Sequence, residues 1–494
     1  MLEVTEGASA GLTVDNSTLT GNIVADDASH ADVTLANNSS LTGQMTNVNN
    51  LAIDGSSAWN MTASSNVQNL SMSGGTVNLG GSSAGGFHEL TLESLAGNGT
   101  FALGTSLGTV TGDLLNVTGN ASGDYQLAIA NTGVDPVKGA GDLQVVHTGS
   151  GDAAFAVIGG KVDVGTFTYQ LEKQGTDWYL VQQTNDDGKP IVSPSASVAI
   201  GLFSAAPTVW YGELATLRSR MGEIRNGEKN GGFWMRGYGN KFNTTAGGGV
   251  NYSQTQSGMS FGADLPVPNS DGLWLIGLMG GYSNSDLDMK LGSHGQVDSY
   301  YVGAYSTWRE ESGFYIDALI KANRFQNTAN VRMSDGVRSK GDFNSNGIGG
   351  SVEVGKHIAL SDGWFVEPYG QMSTLWTTGE SYGLDNGLRA SGNQADSYLG
   401  KVGSHVGRTF PMEHGGFIQP YVKAAVAHEF AHANKVKVND NSFSNDLSGS
   451  RGELGAGLAV QLTDILQVHA DFDYSKGQNI EQPWGVNVGV RYNF

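Results

Sequence analysis

The chain has 494 residues, of which 39% are hydrophobic and only 15% charged, with 73 glycines and no cysteine. Its formal net charge is −20, and residues 1–190 supply −15 of it, from 4 Lys and Arg against 19 Asp and Glu. This acidic first part argues against nucleic acid or an anionic membrane surface as a partner. No run of 18 apolar residues occurs, which excludes a membrane-spanning helix. Low charge with abundant Gly, Asn, Ser and Thr favours an all-β fold.

The first residues, MLEVTEGASAG, lack the basic and apolar regions of a signal peptide. We therefore expect an export signal and further sequence upstream of this segment. The absence of cysteine leaves no thiol to mispair in an oxidising compartment, although by itself it is weak evidence for one.

Residues 1–111 repeat with a period near 20. The segment NSTLTG (16–21) recurs as NSSLTG (38–43), and short apolar strands begin near Leu12, Val33, Leu51, Leu70 and Leu90. A short strand set with polar turns in each repeat predicts a right-handed parallel β-helix, in which each turn buries its apolar face on the next. A leucine-rich horseshoe is the competing solenoid, but its Leu-x-x-Leu-x-Leu consensus is missing.

Residues 112–182 are richer in aromatic side chains. The prominent ones are Phe155, Phe167, Tyr169, Trp178 and Tyr179. The simplest interpretation is a capping repeat, which any solenoid needs in order to cover its open end.

Residues 183–230 begin as a polar, proline-containing linker and continue into a predicted helix that starts near Pro207 and ends near Gly227. Its apolar positions recur at helical spacing, at Leu214, Leu217, Met221 and Ile224. Its other faces carry Arg218, Arg220 and Arg225. About 20 helical residues span about 30 Å, the thickness of a bilayer's hydrocarbon core, so this helix is long enough to thread a pore.

Residues 231–494 contain twelve candidate strands. Apolar and polar residues alternate most clearly in 274–282, 314–322, 417–427, 453–462, 466–474 and 484–494. Short connections such as PNSDG, REESG, LSDG, MEHGG and TD alternate with long ones at 327–342 and 431–449. Outer-membrane barrels show this segregation, whereas a soluble sandwich has no reason for it. In 466–474, Asp471 and Asp473 share the polar face, which requires a wet or charge-compensated lumen.

The last strand, WGVNVGVRYNF, places Val490, Tyr492 and Phe494 on one face and stops on the aromatic residue. An open edge strand of a soluble domain that ends in an exposed Phe invites aggregation. A closed membrane barrel removes that objection, because one face of each strand meets lipid.

Several segments in combination resemble the monomeric autotransporters of Gram-negative outer membranes (type V secretion), in the branch of pertactin and the AIDA-type adhesins. They are GELATLRSRMGEIRNG, GGFWMRGYGN, SGFYIDALIKANRF, DGWFVEPYGQ, FIQPYVKAAVAHEF and the terminal Phe494. The resemblance covers nearly the whole chain from about Gly112. It implies a β-helix passenger segment (1–111), an autochaperone junction (112–182), a linker and pore-spanning helix (183–230) and a twelve-stranded antiparallel translocator barrel (231–494).

The same resemblance implies a monomer that displays its own, adhesive passenger at the cell surface while the barrel stays in the outer membrane. The implied partners are outer-membrane lipid, the barrel assembly machinery, periplasmic chaperones and a host-surface or cell–cell ligand. The aromatic residues at 155–179 become the folding nucleus of the passenger. Val490, Tyr492 and Phe494 become the assembly signal in the strand that closes the barrel.

In the serine-protease autotransporters of enteric bacteria, an Asn–Asn pair precedes a segment like RMGEIR, and acidic wall residues help it to cut the chain. Here those two positions are Ala215 and Thr216, so the resemblance implies an uncut helix. The candidate lumen acids then only hold the helix arginines. They are Glu353, Glu367, Glu453, Asp471 and Asp473.

Two short motifs hint at catalysis. HEFAH (428–432) fits the zinc motif H-E-x-x-H, which needs a helix, but on a strand its histidines lie about 13 Å apart. GSSAG (81–85) fits G-x-S-x-G but reads as a turn between β-helix repeats. We therefore predict no enzyme activity, metal or cofactor. The alternatives are a translocator whose enzymatic passenger lies outside this segment, and a passive porin with an accessory β-helix.

Overall fold

The computed structural model describes residues 1–137, 139, 141–214, 216–222, 231–268, 270–412 and 415–494. The chain forms two compact units. The first comprises residues 1–193 with 333–337 and 386–388, and the second comprises 194–332, 338–385 and 389–494.

The first unit is built from short strands. They are β1 (Leu2–Val4), β2 (Ser9–Asp15), β3 (Thr18–Thr20), β4 (Ile23–Ala25), β5 (His30–Ala36), β6 (Ser40–Thr42), β7 (Met45–Thr46), β8 (Val48–Asp54), β9 (Ala58–Asn60), β10 (Ser65–Asn78), β11 (Glu89–Leu103), β12 (Thr105–Ser106), β13 (Thr111–Gly112), β14 (Leu114–Ala121), β15 (Asp124–Ile129), β16 (Leu143–Gly151), β17 (Ala154–Val157), β18 (Val162–Val164), β19 (Phe167–Gln174) and β20 (Asp177–Gln182).

Strands of successive turns stack in parallel, which confirms the predicted β-helix. The longest face contains β2, β5, β8, β10, β11, β14 and β16, and β1, β4 and β7 form another face. The aligned apolar residues Leu12, Val33, Leu51 and Leu70 are 21, 18 and 19 residues apart, as the repeat predicted. The repeated NSTLTG and NSSLTG segments also stack, with Leu19 beside Leu41.

The predicted period fails at the next turn. Leu70 pairs with Leu95, 25 residues on, and Leu90 pairs instead with Ser65. The extra residues form a loop at 80–88, which the buried carboxylate of Asp113 organises. Asp113 accepts hydrogen bonds from the backbone N–H groups of Gly81, His88 and Gly104 at 3.1, 2.7 and 2.7 Å. A solenoid tolerates such an insertion because it maps to a loop outside the stacked strands.

The parallel stack ends in antiparallel strands. β20 pairs antiparallel with β16, and β19 pairs with both β20 and β18, in keeping with a capping repeat. The polar segment that follows residue 182 makes backbone hydrogen bonds with the junction. The N–H of Thr168 donates to the carbonyl of Ile191, and that of Ser193 donates to the carbonyl of Thr166, both at 2.9 Å. Residues up to 193 therefore pack on the junction.

The second unit contains helices α1 (Pro194–Glu213) and α2 (Leu217–Met221) and a large sheet. Its strands are β21 (Gly232–Ala246), β22 (Val250–Pro266), β23 (Leu273–Asp288), β24 (His294–Arg309), β25 (Phe314–Arg332), β26 (Arg338–Lys356), β27 (Ile358–Ala359), β28 (Trp364–Thr377), β29 (Glu380–Gly383), β30 (Arg389–Gly392), β31 (Ser397–Arg408), β32 (Phe410–Pro411), β33 (Phe417–Glu429), β34 (Lys435–Val438), β35 (Asn441–Ser444), β36 (Gly449–Gln461), β37 (Leu466–Gly477) and β38 (Ile480–Asn493).

The predicted helix occurs, but not at the predicted bounds. It starts at Pro194, and Pro207 lies inside it. Proline is favoured at the first helical position, so by local rules either proline could begin the helix. It stops at Glu213, and Thr216 then caps α2 by accepting a hydrogen bond from the N–H of Ser219. Ala215, Ile224, Arg225 and Gly227 lie outside the described residues. Of the helices in the described ranges, neither is long and apolar enough to cross a membrane.

Within the described residues, twelve long antiparallel strands form a closed barrel, as predicted. They are β21 to β26, β28, β31, β33, β36, β37 and β38. The last strand pairs with the first from Gly232 beside Asn493 to Thr244 beside Ile480, so the sheet has no free edge there. Side chains alternate between an exposed apolar outer face and a buried, largely polar inner face.

The connections at one barrel end, hereafter the turn end, are the predicted short ones. At the other end, hereafter the hairpin end, the prediction of long loops was partly wrong. The segment 327–342 is mostly strand, because β25 and β26 stay paired up to Arg332 beside Arg338. The segments between β28 and β31 and between β33 and β36 instead form a small sheet of β29, β30, β34 and β35.

Candidate functional site: the helix in the barrel lumen

Helix α1 lies inside the barrel and is buried on every side. Apolar contacts with the inner wall, such as Phe203 against Phe343 with ring centroids 4.7 Å apart, occur beside polar ones. Thr208 Oγ1 donates to Gln254 Oε1 at 2.6 Å, and Gln256 Nε2 donates to the carbonyl of Val209 at 3.0 Å. Ser204 Oγ lies 2.9 Å from the hydroxyl of Tyr252. The helix therefore presents hydroxyl and backbone groups that match amides and hydroxyls of the wall.

The end of α1 is held by a buried ion pair that the sequence analysis missed. Lys321 Nζ lies 2.5 Å from Glu213 Oε2, and both side chains are at most 1% exposed. Asn323 Nδ2 also donates to Glu213 Oε2, at 2.7 Å. The ammonium of Lys321 lies 4.1 Å from the Trp210 ring centroid and 4.5 Å from that of Tyr301. A carboxylate and a cation removed from water in this way depend on each other for charge balance.

Arg236 on β21 completes this end of the helix. Its Nη2 donates to the backbone carbonyl of Glu213 at 2.8 Å. The last carbonyls of a helix have no intrahelical partner and carry partial negative charge, so a wall cation there is favourable.

Helix α2 carries two of the predicted arginines. Arg218 pairs with Glu367 at 2.9 Å, donates to Gln419 Oε1 at 2.6 Å and lies over the ring of Tyr421. This pairing of a helix arginine with a lumen acid is the one expected. Arg220 instead pairs with Asp317 at 2.6 Å, an acid that was not among the candidates. Arg225 lies outside the described residues.

The other candidate acids face the lumen, but cations and hydroxyls of the wall bind them. Glu353 accepts from Tyr315 and Gln371 at 2.9 and 3.0 Å. Glu453 pairs with Lys401 at 2.7 Å and Arg451 at 3.1 Å. Among the described residues, neither Glu353 nor Glu453 forms an ion pair with a helix arginine, and Arg225 lies outside those residues.

Asp471 and Asp473 are also engaged by the wall. Lys423 Nζ lies 2.8 Å from Asp473 and 3.6 Å from Asp471, and Tyr421 donates to Asp471. Asn487 Nδ2 links Asp471 indirectly to α2, because it donates both to Asp471 at 3.0 Å and to the carbonyl of Ser219 at 2.8 Å. Asp471 thus reaches the helix through an amide and not through an arginine.

The apolar residues predicted for the helix differ in how deeply they are buried. Met221 is fully buried and Leu217 is 7% exposed, and both pack in a cluster with Trp234, Leu275 and other wall residues. Leu214 lies between the helices, only partly buried against the same cluster. The helix break borders a small polar cavity of about 110 Å³, lined by Gly212, Leu214 and Thr216 among others.

Some residues at this site could have been found from the sequence. Alternation in 314–322 puts Asp317 and Lys321 on the same face as Tyr315 and Leu319, which marks both charges as lumen-facing. Glu213 has no such signal, because a glutamate near a helix end is ordinary in sequence and its buried position depends on where α1 starts.

The predicted junction aromatics in the first unit are only partly together. Phe155 and Trp178 belong to a continuous ring stack with two aromatics that were not predicted, Phe101 and Tyr125. Centroid separations along the stack Phe101–Tyr125–Phe155–Trp178 are 5.6, 5.4 and 5.6 Å. Tyr169 packs at the edge of the same core. Phe167 and Tyr179 are partly buried but lie outside the stack. The four rings are 24, 30 and 23 residues apart, wider than the period near 20 of the first turns, so that period did not indicate them.

The C-terminal residues lie on the outer barrel face. Tyr492 pairs with Phe233 and Val490 pairs with Met235 across the seam of the barrel. Phe494 is 59% exposed, and its N–H donates to the carbonyl of Gly231 at 3.0 Å. The last aromatic thus sits where the first and last strands meet.

Two protein-family profiles match the two parts of the chain described above. The profile of the Autotransporter beta-domain family matches residues 233–473, which are barrel, and that of the Pertactin family matches residues 67–182, which are β-helix and junction. The chain belongs to the autotransporters. The barrel of this autotransporter lies in the bacterial outer membrane, and its passenger lies at the cell surface.

Three relatives show how much of a whole protein is present. Autotransporter CRAC of Citrobacter rodentium is 38% identical, over 94% of this chain and 30% of its own length. The autotransporter adhesin/invasin TibA of Escherichia coli O78:H11 is 35% identical, over 99% of this chain and 54% of its own. The pertactin autotransporter of Bordetella bronchiseptica is 33% identical, over 94% of this chain and 55% of its own length. The chain therefore spans about a third to just over half of the length of these relatives.

The Glu213–Lys321 pair generates a test. Lys321→Met should destabilise the protein by about 3–5 kcal/mol, because it leaves the Glu213 carboxylate buried without a cation. We expect a lower temperature for the folded-to-unfolded band shift in gel electrophoresis, and a higher ion conductance in planar bilayers as α1 loosens.

The matched control is Glu213→Gln/Lys321→Met, which removes both charges and should recover most of the lost stability. A single variant with wild-type melting and conductance would show that the ion pair does not hold the helix.

Proposed function

We propose that the barrel exports its own β-helical passenger and afterwards keeps it attached at the cell surface, with α1 and α2 left in the lumen as a plug. The observation that carries the proposal is the path of the chain through a closed barrel. The lumen contains two helices tied to the wall by the buried pairs Glu213–Lys321, Arg218–Glu367 and Arg220–Asp317. A passive porin needs an open lumen, so this arrangement favours export followed by closure.

We further propose that the passenger is adhesive and that no catalytic step resides in this segment. The relative TibA carries adhesin in its name, which supports the first point. Residues 428 and 429 of the H-E-x-x-H motif lie on β33, where His428 is on the outer face and the Glu429 carboxylate accepts from Tyr211 and Ser397 inside. Expression in a non-aggregating host tests adhesion, and unchanged cell–cell and cell–surface binding would contradict it.

Folding of the passenger supplies a driving force, since no nucleotide is needed for a chain that gains stability as it emerges. In this proposal the aromatic stack at residues 101–178 folds first and the β-helix grows from it. Four large aromatics contact one another in this row, whereas the equally buried Trp59 lies outside it, so their assembly buries the most aromatic area in one place.

Phe155→Ala tests that role. Phe155 is 5% exposed and stacks between Tyr125 and Trp178, so truncation should cost about 3–5 kcal/mol. We expect slower appearance of passenger at the surface, measured by pulse-chase with external protease.

Trp59→Ala is the matched control, because Trp59 is equally buried in the β-helix but remote in sequence from the stack. It should weaken protease resistance of the first turns without delaying display. Equal delay in both variants would place the nucleus elsewhere.

The passenger should remain covalently joined to the barrel. The two positions where related proteins carry the cyclising asparagine pair are Ala215 and Thr216, and the Thr216 hydroxyl is already engaged as the cap of α2. Neither side chain has the amide nucleophile that the cut needs.

We therefore expect the purified protein to run as one chain, and mass spectrometry to find no new terminus between Ala206 and Gly231. Glu453→Gln and Asp471→Asn should leave this result unchanged. A stoichiometric cut in that window, lost in either variant, would contradict the proposal.

The final strand, with Val490, Tyr492 and Phe494, is proposed as the signal that periplasmic chaperones and the barrel assembly machinery read. Deletion of Phe494 should reduce the amount of heat-modifiable barrel in outer membranes. The control is Phe430→Ala, which removes an aromatic residue that is similarly exposed, at 55%, and directly follows β33. Equal barrel levels in the deletion and wild-type strains would refute this role.

A further inference from the structure

The lipid-facing wall of the barrel is not uniform, and one part of it forms a groove. The groove lies across β22 to β25 and has a volume of about 950 Å³. The surface is lowest at Gly280 and Ala322, which lie on either side of Val302 as its two cross-strand neighbours and carry no side chain larger than a methyl group. Phe261, Leu278 and Val302 border it and are 50, 71 and 68% exposed. Its size falls within the range of clefts that hold small ligands, roughly 300–1,000 Å³.

The rim of the groove nearest the hairpin end is aromatic and cationic. Tyr282 and Tyr300 lie side by side with ring centroids 5.0 Å apart, and Arg324 is the cross-strand neighbour of Tyr300. Arg324 faces outward and lines the groove. Among the described residues, its guanidinium has no hydrogen bond or ion pair with a protein group.

The nearby carboxylate does not neutralise Arg324. Asp298, the next outward residue of β24, accepts hydrogen bonds from the Tyr282 hydroxyl at 2.6 Å and from Asn284 Nδ2 at 2.9 Å. The donors of Arg324 are therefore available to an anion from outside the protein, and a guanidinium fork matches the oxygens of a phosphate.

Along the barrel axis, Arg324 lies at the level of the lipid headgroups. It lies ten residues from Phe314 at the turn end of β25, which is about 26 Å along the barrel axis for a strand tilted by about 40°. The apolar band of such barrels is about 25 Å tall, with aromatic girdles at both edges. Short turns face the periplasm in outer-membrane barrels, so this edge belongs to the leaflet that faces outside.

We propose that Arg324 and the groove bind one phosphate-bearing lipid of the outward-facing leaflet. The phosphate lies on the Arg324 guanidinium beside Tyr300, and one acyl chain lies over Ala322 along the side of Val302. Charge complementarity selects an anionic headgroup, and the apolar walls select a lipid over a free anion.

The test measures lipid retained by the full-length chain purified in mild detergent, by native mass spectrometry after delipidation and addition of defined probes. The probes are diphosphoryl lipid A, its dephosphorylated form, and inorganic phosphate. Wild type should bind one diphosphoryl lipid A, and bind the dephosphorylated form at least about tenfold more weakly, as expected for loss of a charged hydrogen bond.

Two variants each remove one part of the site. Arg324→Gln removes the phosphate contact, and Ala322→Phe fills the groove while keeping the face apolar. Each should weaken lipid A binding about tenfold or more. The controls are Lys340→Gln, an outward cation of β26 beyond the apolar band, and Ala318→Phe, an outward residue of β25 closer to the turn end. Both should bind within about twofold of wild type.

Wild-type lipid affinity in Arg324→Gln would overturn the proposal, as would equal binding of the two lipid forms. Inorganic phosphate that binds as tightly as lipid A would also overturn it, since the groove would then play no part. Heat-modifiable mobility confirms that each variant is folded. If Arg324→Gln does not assemble, Ala322→Phe and the dephosphorylated lipid decide the question.

Discussion

Closure of the sheet is the constraint on which the second unit depends. In hydrocarbon no water is available to bond an exposed N–H or carbonyl, so a membrane wall made of strands must pair every strand on both sides. The pairing of β21 with β38 meets that requirement. Closure also forces every second side chain inward, where a polar lumen must be filled or solvated.

The contents of the lumen follow from that enclosure. Helix α1 buries apolar side chains such as Leu202, Val209 and Trp210, and hydrogen bonds and ion pairs add to that packing. The charges are distributed on both partners, with a helix acid meeting a wall cation at Glu213–Lys321 and helix cations meeting wall acids at Glu367 and Asp317. Because each buried charge depends on its partner, a shift of the helices along the lumen would leave charges unpaired.

The first unit satisfies its backbone differently. Each turn of the β-helix pairs with the next, which leaves an unpaired row only at the ends, and antiparallel strands cover one of them. The stacked rings at 101, 125, 155 and 178 place the largest apolar groups near that end. Insertions such as residues 80–88 are accommodated beside the stack, provided that a group like Asp113 satisfies the backbone they expose.

The sequence by itself determined the repeating and alternating parts. Period-2 alternation identified the strands of the barrel and the lumen side of Asp471, and the register from Leu12 to Leu70 followed from spacing, because both patterns are local consequences of strand geometry. Helix bounds were less accessible, since Pro194 and Pro207 are equally good starts by local rules.

Only the tertiary structure decided which charges meet. Arg220 chooses Asp317 over Glu353, and Lys321 reaches Glu213, because strand order, tilt and the offset of α1 set the distances between residues far apart in the chain. The same holds for the groove beside Arg324, because Gly280 and Ala322 come from different strands and flank Val302 only when the barrel brings the three strands together. Alternation tells which face a side chain takes, but contact across a lumen or along a wall depends on where every other strand lies.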